Sequence, residues 1–281
     1  MKISRRQFLC GLGAAASGRK ALARVGRIQI GVCSRPENFP LAVDYGFDYL
    51  EPPAATVAAM SESAFNRFRQ QVMAAPIRCE SFNDFIRSLR VVGDDVHPDQ
   101  LRNYMEMCIG RCRRLGGSIV VWGSASSRNV PPGFSRAVAW KQIQSFLRLA
   151  GNVARPQGII IAIESLRTEE SNIINTGAEA MRLVCEVHHP NVRMIIDYYH
   201  LREMNEDPEI VWTARKYIVH FHFANPHGRL WPRSLAEDPE YHRFFALVKK
   251  IHYSGGISIE ARGAFAKDAA ASLRFFREEL A

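Results

Sequence analysis

Residues 158–164 read GIIIAIE, an apolar run closed by an acid, and the form returns as VRMIID at 192–197, YIVHFH at 217–222 and GISIE at 256–260. Runs this short, rich in β-branched residues and bounded by turn residues, predict strands rather than helices. Near-continuous apolarity means burial on both faces, as in a parallel sheet covered by helices. Working outward, similar runs occupy 27–33, 47–51, 77–82 and 118–122. Helical periodicity fills the gaps, at 38–45, 62–73, 98–115, 137–154, 177–187, 208–214, 239–251 and 266–280. Eight β/α units within residues 24–281 match a single-domain α/β (β/α)8 TIM barrel, for which about 250 residues is typical. A doubly wound sheet would place a Gly-rich turn after its first strand, and Gly31-Val32-Cys33-Ser34 is not one.

The chain's 281 residues are 47% hydrophobic and 23% charged, which excludes a disordered or fibrous protein. The net charge of +9 is concentrated at the amino terminus: residues 1–23 hold Lys2, Arg5, Arg6, Arg19 and Lys20 and no acid. In the remainder 32 bases face 28 acids, so charge does not point to a nucleic-acid partner. Ser4-Arg5-Arg6-Gln7-Phe8-Leu9, an apolar run to Gly18 and Ala21-Leu22-Ala23 resemble a twin-arginine (Tat) signal peptide over residues 1–23, with cleavage after Ala23 and export to the periplasm or outside. No segment is long enough for stable membrane insertion. Outside Cys10, five cysteines without a C-x-x-C imply no disulfide framework, and Cys108 with Cys112 read as buried thiols on one helix face.

Four polar residues close the last four strands: Glu164, Asp197, His222 and Glu260, spaced by 33, 25 and 38 residues, each about one β/α unit. Consecutive strands therefore deliver them to the same rim, where such barrels keep their active sites. A lone acid at a strand end is commonly the cap of the next helix. Three carboxylates and an imidazole converging in a semi-buried mouth instead require a cation to offset their repulsion. The hard-to-borderline donor set suits one Mn²⁺, Co²⁺ or Mg²⁺ ion, with Zn²⁺ the softer option. His220, two residues before His222, reads as a hydrogen-bonded core histidine behind the ligands.

These motifs, in this order, resemble the sugar phosphate isomerase/epimerase superfamily of xylose-isomerase-like TIM barrels. The likeness runs over residues 27–262: Gly46-Phe47-Asp48-Tyr49-Leu50-Glu51, Val121-Trp122-Gly123-Ser124 with Arg128 and Pro131, Glu164 with Asn172 and Asn175-Thr176, Asp197 with His200, His222 with Arg229, and Glu260. The resemblance implies that Glu164, Asp197, His222 and Glu260 bind one catalytic metal, and that His200 and Arg229 touch substrate hydroxyls or carbonyl. Moving a proton on a carbon beside a carbonyl needs an electrophile to stabilise the enediolate and a base within reach. A metal supplies the first, and Glu164 and Glu260 can flank the substrate as acid and base, giving epimerisation or aldose–ketose isomerisation. Glu51, Asn83, Trp122 and Trp231 are candidates to line the sugar pocket.

The expected partner is thus a small sugar or keto-sugar, unphosphorylated because no Gly-rich phosphate cradle is present; a homo-oligomer is left open. A hydro-lyase acting on a keto-inositol would use the same residues. An AP endonuclease would need further histidines on the third and fourth strands, but these end in Glu80-Ser81-Phe82 and Val121-Trp122. A noncatalytic sugar-binding barrel would not need the paired glutamates.

Overall fold

The structure is a computed structural model that describes residues 26–280. The twin-arginine segment and Ala21-Leu22-Ala23 lie outside the described residues. Eight parallel strands follow one another: β1 Gln29–Cys33, β2 Tyr49–Glu51, β3 Ser81–Phe82, β4 Ile119–Trp122, β5 Ile160–Ile163, β6 Val192–Asp197, β7 Ile218–Phe223 and β8 Gly256–Ile259. Their lateral order is β2-β1-β8-β7-β6-β5-β4-β3, a cyclic sequence that only a barrel satisfies. The remaining seam, between β2 and β3, is joined by the parallel bridges Tyr49–Arg78 and Pro53–Asn83. The third strand is shorter than the 77–82 expected from sequence. Arg78 turns its guanidinium onto the carbonyls of Val72, Ala75 and Ile77, so this stretch bridges its neighbour rather than forming a full ladder.

Helices cover the outside. Glu62–Ala74, Arg136–Ala154 and Gly177–Val187 start at Ser61, Ser135 and Thr176, whose hydroxyls accept from the backbone amides of Ala64, Val138 and Glu179. Their buried faces, such as Ile143, Phe146, Leu147, Ala150 and Ala154, recur at helical spacing against the strands. Three short helices absent from the sequence reading, Ala54–Ala59, Ala125–Arg128 and Tyr198–Glu203, follow β2, β4 and β6 directly. They form much of the rim at the strands' carboxyl ends.

The barrel interior is filled by side chains. Val121, Ala162 and Ile195 form one small cluster, with Ile119 and Val219 against it. The Tyr49 ring crosses the lumen so closely that a Cβ on Gly31 would lie 2.1 Å from it. A bulge sets the seventh strand: Ile218 pairs with Met194 and His220 with Ile195, leaving Val219 out of the ladder. Beyond it His220 and His222 share the face that looks into the lumen, two residues apart.

Candidate metal centre

Glu164 and Glu260 immediately follow β5 and β8, Asp197 ends β6, and His222 lies near the end of β7. Each offers one ligand atom to a common point, and these atoms all lie within 4.8 Å of one another. His222 Nδ1 is 3.0 Å from Glu164 Oε1 and 3.2 Å from Glu260 Oε2. Asp197 Oδ1 accepts from the Tyr199 amide at 2.8 Å, so it caps the next helix as well. Its Oδ2 is buried with no hydrogen-bond partner. Glu164 enters the centre across Gly123, where a Cβ would fall 1.7 Å from Glu164 Oε2. Behind it the buried Arg128 guanidinium donates to the carbonyls of Trp122 and Glu164, tying the ends of β4 and β5 together.

The electrostatics are those of a crowded anionic pocket. Burial, reinforced by Glu164 and Glu260 and opposed by Arg229, pushes the Asp197 carboxyl up to about 7. Burial also raises Glu164, with Glu260 adding to the effect against the pull of His222. Burial opposes the charged form of Glu260 too, but Arg229 and His222 outweigh it and hold this carboxyl low. His222 is likewise buried, yet Glu51, Glu260 and Glu164 keep its imidazole protonated well above the ordinary range. A divalent cation fits these residues on two counts: three carboxylate oxygens and one imidazole nitrogen already converge, and the buried Asp197 Oδ2 has no hydrogen-bond donor among the described residues, its nearest cation being the Arg229 guanidinium at 3.6 Å.

A profile of the xylose isomerase-like TIM barrel matches residues 39–279. The chain belongs to the xylose isomerase-like TIM barrel family. Among family relatives, a 3-dehydro-D-guloside 4-epimerase of Escherichia coli K12 is 25% identical over 235 residues, covering 80% of this chain and 86% of the relative. A D-psicose 3-epimerase of Agrobacterium fabrum is 22% identical over 226 residues, covering 76% and 75%. The crystal structure of an E. coli 3-keto-D-glucoside 4-epimerase superposes with a TM-score of 0.75 at 21% identity over 90% of this chain and 100% of that one, a likeness of fold.

In this xylose isomerase-like barrel, three of the other expected site residues reach the centre. Arg229, in the loop after β7, donates to Glu260 Oε2 at 2.6 Å and lies 3.6 Å from Asp197 Oδ2. Asn83 donates to Glu260 Oε1 at 2.9 Å and keeps a buried, unpartnered Oδ1. His200 accepts the Arg167 amide at Nδ1, which leaves its Nε2 as the protonated nitrogen, buried without a hydrogen-bond partner 3.5 Å from Asp197 Oδ2. Burial and the Arg229 charge hold this imidazole neutral.

Two expectations need relocation. Trp122 has no exposed surface: it packs on Phe146, stacks under Arg128 and donates to Ser127 Oγ at 3.1 Å, so it wedges β4 against the helix layer. Glu51 also has no exposed surface and sits beneath the cluster, bonded to His220 and His222 rather than facing a pocket. Trp231 packs against Phe265 and Gly263, with its buried Nε1 without a hydrogen-bond partner among the described residues. His220 is the hydrogen-bonded interior histidine anticipated from its spacing. Sequence reading missed Glu170, which accepts from Arg167 Nε at 3.0 Å and lies 3.6 Å from Arg229 Nη1, and Tyr199, whose ring carries both arginines. Neither belongs to a periodic pattern that could have announced it.

Proposed function

We propose that the protein is a divalent-metal-dependent epimerase that inverts a carbon beside the ketone of an unphosphorylated sugar or sugar glycoside. The observation that carries this reading is the placement of Glu164 and Glu260: they come from the outer two of four consecutive strands and flank His222 Nδ1 at 3.0 and 3.2 Å. Glu164, Asp197, His222 and Glu260 would hold the metal, whose chemistry is to draw electron density from the ketone and so acidify the neighbouring C–H. Glu164 and Glu260 then remove a proton from one face of that carbon and return one to the other, the requirement for inversion. His200 Nε2–H donates to a substrate oxygen, and Arg229 supports the negative charge that develops as the proton leaves. The names of the relatives agree, since a 3-dehydro glycoside inverted at carbon 4 and a ketose inverted at carbon 3 both change the carbon next to a ketone.

An AP endonuclease reading draws no support. Among the described residues no histidine ends β3 or β4. The test is a screen of the Mn²⁺-loaded protein in D₂O against free ketoses and 3-keto-glycosides, read by NMR. Deuterium entering at the carbon beside the ketone, together with a new epimer, is the expected result. Loss of water instead would select a hydro-lyase, and no exchange with any ketone would remove the epimerase reading. Export through the twin-arginine segment is part of the same proposal and rests on residues 1–23 of the sequence.

A further inference from the structure

Beneath the four-residue cluster the fully buried Glu51 carboxylate is divided between two tasks. Its Oε2 is crowded by three groups: Ser81 Oγ donates at 2.7 Å, Ser258 Oγ donates at 2.5 Å, and His220 Nε2 lies 2.8 Å away. Among the described residues its Oε1 has a single hydrogen-bond partner, His222 Nε2 at 3.0 Å. The first three contacts anchor the carboxylate so that its second oxygen faces the back of the His222 ring, while Nδ1 of that ring faces Glu164 and Glu260. The other group near Nε2, the Cys33 Sγ, is farther away at 3.9 Å. Glu51 is therefore the anionic acceptor at that nitrogen.

We propose that Glu51 is a positioning residue that holds a proton on His222 Nε2, so that Nδ1 is the nitrogen that gives up its proton and binds when a metal ion enters. The inference rests on the metal-site reading above and deepens it. An imidazole whose far nitrogen donates to a carboxylate is oriented and made more basic, and loss of such a partner commonly weakens metal binding by about 10–100-fold. Glu51→Gln keeps the volume but not the symmetry. The orientation that keeps Ser81, Ser258 and His220 satisfied turns the carboxamide NH₂ toward His222 Nε2, which must then accept. The ring proton moves to Nδ1, where it points at the position the metal needs.

Two measurements test this without recourse to turnover. Isothermal titration of metal-free protein with Mn²⁺ should show affinity about 10–100-fold weaker in Glu51→Gln than in wild type. Ser81→Ala, which leaves the Oε1 contact in place, should stay within about 3-fold, and thermal melts in EDTA report whether each variant is folded. Equal affinity in folded Glu51→Gln and wild type would overturn the positioning role and leave the proposed reaction standing. A wild type that binds no Mn²⁺ would overturn both. Should Glu51→Gln not fold, ¹⁵N–¹H correlation of the wild-type histidines with Zn²⁺ as probe decides alone: a His222 proton on Nε2 is expected, and one on Nδ1 overturns the proposal.

Discussion

At position 123 a hydrogen in place of a methyl group lets the Glu164 carboxylate cross the end of β4, because a Cβ there would fall 1.7 Å from Oε2. Gly123→Ala is therefore expected to displace Glu164 and weaken Mn²⁺ binding by about 10-fold or more. The fold should stay intact, as titration calorimetry beside a thermal melt would show. Glu164→Gln and Glu260→Gln are each expected to lower kcat by about 10²–10⁴-fold while leaving secondary structure unchanged, the range lost with a general acid or base. Deuterium uptake that stayed at the wild-type level in both would remove their assignment. At this scale the four clustered residues were legible because each closes a strand, and strand ends face the rim. Glu51 also closes a strand, yet it lies below the centre instead of lining the pocket. Its depth is set by the His222–Glu51 contact across the lumen, between residues 171 positions apart, and nothing local encodes that.

At the scale of elements, six of the eight strands were readable from their β-branched runs, the second and third from their place in the β/α alternation, and the long helices from their apolar spacing. The helices Ala54–Ala59, Ala125–Arg128 and Tyr198–Glu203 were not, since 4–6 residues hold too few turns to show a period and are stabilised by tertiary contacts. The middle one carries Ser127 and Arg128, which turn Trp122 inward: the indole donates to Ser127 Oγ, and the guanidinium stacks on the ring while binding the carbonyls of Trp122 and Glu164. This is the physical reason that Trp122 packs in the core. Trp122→Phe is accordingly expected to lower stability by about 1–3 kcal/mol in urea unfolding, through lost packing and an unpaired Ser127. The substrate KM should not change; a raised KM at unchanged stability would return Trp122 to the pocket.

At the scale of the molecule, the anionic centre is expected to make folding stability depend on pH and on the proposed metal. The folded-state Asp197 carboxyl lies at about 7 against an ordinary 3.8, so the native state binds this proton more tightly than the unfolded chain does. That contribution is complete below about pH 4 and is lost as pH rises through 7. His222, raised above 6.5 by its acidic neighbours, is lost in the same direction at still higher pH. Metal-free protein should thus melt at progressively lower temperature from pH 5 to pH 8, with Mn²⁺ restoring most of the loss, whereas Asp197→Asn should flatten the metal-free curve. A metal-free melting temperature that rises over this interval would contradict the electrostatic account. The proposed export is tested on the whole chain: Arg5→Lys with Arg6→Lys should retain the protein in the cytoplasm, as fractionation would reveal. The barrel could be counted from sequence because each β/α unit repeats one pattern, while its closure depends on the Tyr49–Arg78 and Pro53–Asn83 bridges, which no run of residues announces.

The most direct measurement is an anomalous difference map, recorded at the manganese absorption edge, from a crystal of the protein grown with Mn²⁺. The account predicts one strong peak bounded by Glu164, Asp197, His222 Nδ1 and Glu260. A peak on the other side of the ring, among Cys33, Glu51 and His222 Nε2, or no peak within the barrel mouth, would contradict it.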